Sequence, residues 1–200
     1  MSDESQNKDG LYSLIPLEEF KALMGVDDRD DKAARFCLVT ATLTIEEYCK
    51  RKFLQKQYFE TFELKEKLLV ILKEYPVSEI VAVYQIDNDS LIEPQFYRPM
   101  IGNDYNEEMP FELFLSSSLK PHRISAIRVI YIGGYTVGSV PSNLSAACLE
   151  LASWNFNRYK GKRIGMSGNI RGAGVQGEHF EMSIPENVKA LIEPYRRKTI

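Results

Sequence analysis

The stretch Tyr131-Ile-Gly-Gly-Tyr135, followed by Val140-Pro-Ser-Asn-Leu144 and running on to Tyr159-Lys160, decides the fold. It reads as a buried strand, a glycine turn and then the longest well-capped apolar helix of the chain. Pro141 suits the first turn of a helix, where its missing N–H costs nothing, and Ser142 is the alternative N-cap. At 100° per residue, the apolar side chains from Leu144 to Tyr159, Trp154 among them, fill a continuous arc of roughly 220°. A helix lying on a single core needs a narrower stripe. This helix is therefore either the centre of the domain or covered on a second side by another subunit. Asn155 sits inside the arc and needs partners if buried; with no base or nucleophile beside it, it reads as a satisfied amide.

Upstream, Gln57 to Tyr135 has an extended pattern: Tyr58 to Leu64 is aromatic, Lys67 to Leu72 is a short apolar run, and Val77 to Ile86 and Ile124 to Ile132 are β-branched. Phe111 to Leu115 adds an edge strand. No crossover helix separates these runs, so pairing is antiparallel or mixed rather than parallel. Asp87 to Ser90 is turn chemistry, and Met100 to Pro110 is an acidic loop.

Further upstream, Pro16 to Met24 is a short amphipathic helix with Gly25 just past its end. Asp27-Asp-Arg-Asp-Asp31 then opens a helix expected to reach about Lys52. Its apolar residues divide: Ala34, Leu38, Ala41, Ile45, Tyr48 and Cys49 share one side, while Phe36, Val39 and Leu43 fall almost opposite. Either the first helix covers that second stripe or another subunit does. Downstream, Gly161 to Ser183 holds six glycines and few apolar residues, and long structureless loops are usually functional or disordered. Val188, Leu191, Ile192 and Tyr195 make a last helical stripe between Pro185 and Pro194.

These parts give an α+β chain, mainly helical: a small bundle around a long central helix with an inserted antiparallel or mixed β region. Residues 1–12 read as a disordered tail and 13–200 as a single domain. That domain comprises a helical core (14–53 and 141–197), a β-rich insertion (57–135) and the Gly-rich loop (161–183).

Two hundred residues that are 44% hydrophobic suffice for such a domain. The net charge of −3 and the pI near 5.6 argue against a generic nucleic-acid binder. The polar start carries no signal-peptide pattern, and no run approaches the length of a membrane span. Cys37, Cys49 and Cys148 are odd in number and widely spaced, which fits buried thiols in a reducing cytoplasm rather than disulfides or a zinc site.

No catalytic, metal or cofactor constellation emerges. His122 and His179 lie in polar loops without ligand spacing. Gly172-Ala-Gly174-Val-Gln-Gly177 matches G-x-G-x-x-G in letters but neither follows a strand nor opens a helix. The pairs Glu18-Glu19 and Glu46-Glu47 point about 100° apart on a helix and read as solvated faces. Arg158, Lys160, Lys162 and Arg163 complement the C-terminal end of the long helix, or else touch phosphates or an acidic neighbour.

The order of parts resembles a known family. The Leu-Glu-Glu helix, the acidic turn, a helix ending Ile-Glu-Glu-Tyr-Cys-Lys-Arg-Lys, Tyr75-Pro-Val-Ser-Glu-Ile80, the Tyr131–Tyr135 to Val140-Pro141 junction and the terminal Ile184-Pro185 to Pro194-Tyr195-Arg196 are similar to the head–tail connector (adaptor, head-completion) proteins of long-tailed bacteriophages. The resemblance implies a structural virion protein without catalysis. It would form a ring of about a dozen copies below the portal protein, extend the DNA channel and dock the next neck or tail-completion protein. In that reading Phe36, Val39, Leu43 and Trp154 meet a neighbouring subunit. Arg158, Lys160, Lys162 and Arg163 face an acidic partner or passing DNA, bound without sequence specificity. The alternative is a cytoplasmic α+β module holding a small ligand between Trp154, Tyr159 and Asn155.

Overall fold

The computed structural model describes residues 11–64, 69–87, 90–99, 111–116, 125–161 and 184–197. These form four α-helices and two antiparallel sheets, an α+β fold, and the chain divides into two compact units. One is built on Arg51–Ser139, the other on Asn7–Lys50 together with Val140–Ile200. Residues 1–10, the Met100 to Pro110 loop, both histidines and residues 162–183, which carry Lys162, Arg163 and the G-x-G-x-x-G match, lie outside the described residues.

In the helical unit, α1 (Leu17–Met24) starts after Pro16 with Glu18 and Glu19 in its first turn and stops at Gly25, whose φ of 62° suits a residue without Cβ. A 3-10 turn, Asp28–Asp30, leads into α2 (Asp31–Cys49). That helix ends earlier than the sequence pattern predicts because Lys50 turns left-handed (φ 56°) and returns its N–H to the Glu46 and Glu47 carbonyls. α3 (Ser142–Lys160) follows Pro141, which is still extended (φ −54°, ψ 139°). Pro141 thus occupies the cap position, and its carbonyl accepts from the N–H groups of Leu144 and Ser145 at 2.9 and 3.0 Å. α4 (Glu186–Ile192) and a closing 3-10 turn, Glu193–Tyr195, complete the unit.

Most of the wide apolar arc of α3 is covered within the chain, with Leu149 and Trp154 half-buried and Tyr159 exposed at its C-terminal end. Leu144, Ala147, Cys148, Leu151, Ala152 and Phe156 are buried; α2 and α4 pack against the helix, and Phe20 of α1 meets Phe156 edge to face at 5.8 Å. Each fully buried Leu or Phe contributes about 1.5–3 kcal/mol, so this three-sided contact is what holds the unit together. α2 and α3 are both 19 residues long, so the structure does not single out one long central helix, and the sheets rival the helices in extent. Leu11 is buried and Tyr12 donates to Glu46 at 2.7 Å; these two residues, placed in the tail by sequence, are packed. Glu46 is only 2% exposed. The solvated-face reading therefore fails for Glu46 and holds for exposed Glu47.

In the other unit, β1 (Lys56–Glu63), β3 (Val77–Gln85), β4 (Ser90–Ile92) and β7 (Ala126–Gly133) form a sheet in the order β1-β7-β3-β4. β2 (Leu69–Leu72), β5 (Tyr97–Pro99) and β6 (Phe111–Leu115) form a second, ordered β2-β6-β5. The short strands β4 and β5 carry too few residues for an alternation signal and were not legible in the sequence. Val83, Ile127 and Val129 from the first sheet pack with Val70, Leu72, Leu113 and Leu115 from the second in one core.

β7 is the spine of the larger sheet, with Tyr131 paired to Tyr58 on one side and to Ile80 on the other. Its glycines are required by close approach. A Cβ on Gly133 would run into the Glu74 carbonyl, and one on Gly134 (φ 95°) would stand 2.7 Å from the carbonyl oxygens of Phe53 and Leu54. Gly134 donates to Pro76 O at 2.8 Å, and Tyr135 donates to Phe53 O at 2.6 Å. The Tyr75–Pro76 peptide is cis. Arg51, 2% exposed, donates to Tyr75 O and stacks over the Tyr75 and Phe53 rings at 3.4 and 4.9 Å.

Candidate assembly surfaces

The residues expected to meet a neighbour separate once the packing of each helix is known. Phe36, Val39 and Leu43 recur at i, i+3 and i+7, which places them on one face of α2. The opposite face carries Ala34, Cys37, Leu38, Ala41 and Ile45 into the core. α1 does not cover the second face: Phe36 is 67% and Leu43 46% exposed, with Val39 half-buried between them. Trp154 is half-buried on α3, and the Arg158 guanidinium lies 4.7 Å above its ring.

The basic cluster is partly committed within the chain. Lys160 reaches Asp30 at 2.6 Å, joining the C-terminal end of α3 to the residue that precedes α2. A cation at a helix C-terminus and a carboxylate at an N-terminus both complement the helix dipoles; the pair is exposed, so its worth is below about 1 kcal/mol. An acidic neighbour thus exists for Lys160 in its own chain.

Polar clamps fix the ends of α2. Lys21 contacts Asp28 at 2.5 Å and Asp31 at 2.8 Å. The hydrogen bond to Asp28, with that to Asp31, holds the Lys21 ammonium well above its ordinary range, and the same bond pulls the Asp28 carboxyl down. At the other end Tyr48 donates to Glu193 at 2.6 Å, which lowers the Glu193 carboxyl and raises the phenol. Cys37, Cys49 and Cys148 are buried free thiols; burial pushes Cys37 and Cys148 up to about 11.

A second exposed apolar surface escaped the sequence reading. On the larger sheet Tyr58 and Phe62 pack toward the core, so Phe59 between them faces outward, 65% exposed. It lies opposite Ile130, which in turn lies opposite Ala82. Val81, at the register shift of β3, and Leu91, beside buried Ile92 on β4, are 46% and 57% exposed. The available signal was the outward half of an alternating strand carrying Phe where a solvated face would carry a polar residue.

Within the β unit, Glu60 accepts the Tyr131 hydroxyl and, at 3.1 Å, the Lys73 N–H, while the Tyr131 oxygen accepts the Glu74 N–H at 3.1 Å. Burial, then the bond to Glu60, drives the Tyr131 phenol far above its ordinary range, so it serves as a structural donor rather than an acid. A cavity of about 310 Å³ is lined by Gln95, Phe96, Tyr97, Arg98, Phe114 and Ser116, not by the Trp154, Tyr159 and Asn155 of the small-ligand alternative. Among the described residues no cluster of His, Cys, Asp or Glu could hold a metal ion, and no helix is long and apolar enough to cross a membrane.

No family model matches the chain, and no curated protein matches it in sequence. Solved structures do match in fold. A chain in the neck of an empty gene transfer agent (GTA) particle, computed with C6 symmetry, superposes with a TM-score of 0.61 at 16% identity, over 94% of this chain and 91% of that one. A chain in the neck of the native particle, computed with C12 symmetry, gives 0.59 at 16% identity with the same coverage. One in the virion of the native particle gives 0.58 at 15%, again with the same coverage. The chain therefore has the fold of a chain found in the necks of these phage-like particles, in agreement with the head–tail connector resemblance carried by its sequence.

Proposed function

We propose that this chain is a structural protein of a phage-like particle, located in the neck at the head–tail junction. About a dozen copies form a ring below the portal protein, extend the DNA channel and dock the next neck or tail-completion protein. The observation that carries the reading is the fold shared over nearly the whole length of both chains with a neck chain solved under C12 symmetry. The exposed Phe36–Val39–Leu43 face supports it, since contiguous apolar surface on a folded chain marks an interaction site. The net charge of −3 suits a channel lining through which DNA slides without being held. Arg158 and Lys162 with Arg163 are the residues assigned to DNA or an acidic partner; Lys160 serves Asp30 first. The role is mechanical, without catalysis or cofactor, and the subunit is made in the bacterial host cytoplasm before joining the virion.

Deleting the gene in a particle-producing host tests this reading. The expected product is heads without attached tails, restored by supplying the gene in trans. Normally tailed, infective or transducing particles from the deletion strain would overturn it.

A further inference from the structure

The neck structures that share this fold were solved with cyclic symmetry of order six and twelve. A closed ring of more than two copies uses a heterologous contact, so every subunit needs two different surfaces that fit one another. Eight large hydrophobic side chains are exposed among the described residues. Leu23, Leu69 and Tyr159 are not part of the two patches described above. The remaining five fall into those two patches, one on each unit: Phe36 and Leu43 on α2, and Phe59, Val81 and Leu91 on the outer face of the larger sheet.

We propose that these two patches are each other's partners: the α2 face of one copy lies on the outer sheet face of the next, around the ring. This rests on the ring reading above and adds which surfaces close it. Each patch has one exposed aromatic anchor, Phe36 or Phe59, the kind of residue enriched at the centre of protein interfaces. On α2, exposed Lys32 stands one turn before Phe36 and exposed Glu47 one turn after Leu43. On the sheet, exposed Glu79 lies opposite Ile132 at one end of the patch, while at the other Arg128, opposite Tyr84 and Thr61, shares the outer face with exposed Glu63, opposite Ala126. Lys32 therefore suits the acidic Glu79 end, which sets the Phe36 end of α2 toward Glu79 and steers one orientation.

Cysteine cross-linking in assembled particles tests the pairing. The three native thiols are buried, so a short bismaleimide should leave the unsubstituted chain uncoupled. A chain with both Leu43→Cys and Phe59→Cys should give a ladder of covalent oligomers on a denaturing gel. Leu43→Cys alone and Phe59→Cys alone should stay monomeric, and particles assembled from a mixture of the two should yield dimers. Phe36→Cys with Val81→Cys, nearer the Glu79 end of the sheet, repeats the test at independent positions. Dimers from Leu43→Cys alone would show that α2 pairs with itself and would overturn the proposal. So would the absence of a ladder from both double variants in particles that contain the chain. If the unsubstituted chain is absent from purified particles by immunoblot, the ring reading itself falls, a result distinct from failed coupling.

Discussion

Gly134→Ala should unfold or severely weaken the β unit, while Gly138→Ala, four residues on, should not. Gly134 has φ 95° and would place a Cβ 2.7 Å from two backbone carbonyl oxygens, those of Phe53 and Leu54. A left-handed conformation costs an L-residue about 1–2 kcal/mol. Relieving the clash moves the end of β7 away from its partners. The bonds at risk are Gly134 N–H to Pro76 O at 2.8 Å, Tyr135 N–H to Phe53 O at 2.6 Å and Gln55 N–H to Tyr135 O at 2.9 Å. Each is worth about 0.5–1.5 kcal/mol net, so the total loss is about 3–5 kcal/mol. A Cβ on Gly138 meets nothing within 4 Å, and its substitution should change stability by less than about 0.5 kcal/mol. Urea titration followed by far-ultraviolet circular dichroism reads the difference. With a slope of about 2 kcal/mol per molar, Gly134→Ala should lower its midpoint by about 2 M relative to Gly138→Ala. Equal midpoints would refute the claim that the glycine pair exists to let β7 approach the Phe53–Leu54 backbone.

Leu43→Lys, at a position 46% exposed, should leave the subunit folded with an unchanged melting temperature but exclude it from particles; a melting point lowered by more than about 4 °C would instead place Leu43 in the core. Tyr12→Phe removes the hydroxyl that buried Glu46 accepts at 2.7 Å and should cost about 1.5–3 kcal/mol in chemical denaturation; no measurable loss would show that Tyr12 is not held there. The Ser125 hydroxyl, then its N–H, hold the Asp87 carboxyl below its ordinary 3.8. A depressed folded pKa gives stability that is complete above the unfolded value and is lost as pH falls through the folded one. Asp87→Asn should therefore be less stable than the parent above pH about 4 and converge with it in stronger acid, and parallel pH profiles would contradict this. The three cysteines should resist an aromatic disulfide reagent at pH 8 until the chain unfolds, because all are buried and the Cys37 and Cys148 thiols are raised to about 11; rapid titration of the native chain would contradict it.

The helices and the longer strands were legible because their signals are local. Pro141 and Gly25 mark boundaries by what their backbones allow, and the split stripe of α2 was visible in the spacing of Phe36, Val39 and Leu43. What the sequence left open was which side of each element meets which neighbour. The wide arc of α3 was compatible with a subunit contact or a crowded core, and α1, α2 and α4 cover most of it within the chain while Tyr159 stays exposed. Glu46 looked solvated because its burial depends on Tyr12, 34 positions away. Nothing local in the sequence singles out Arg51, whose guanidinium lies over the rings of Phe53 and Tyr75. The outward Phe59 became conspicuous only when the register put Ile130 beside it and the core behind Tyr58 and Phe62. Surfaces made by residues distant in sequence need the pairing of strands before they can be seen.

Cryo-electron microscopy of the particle neck from a host expressing this chain tests the central claim most directly. The account predicts a ring of about a dozen copies of this α+β fold between portal and tail, with DNA or its channel on the axis. A neck whose density holds no copy of this fold, or particles in which the chain occurs only elsewhere, would contradict it.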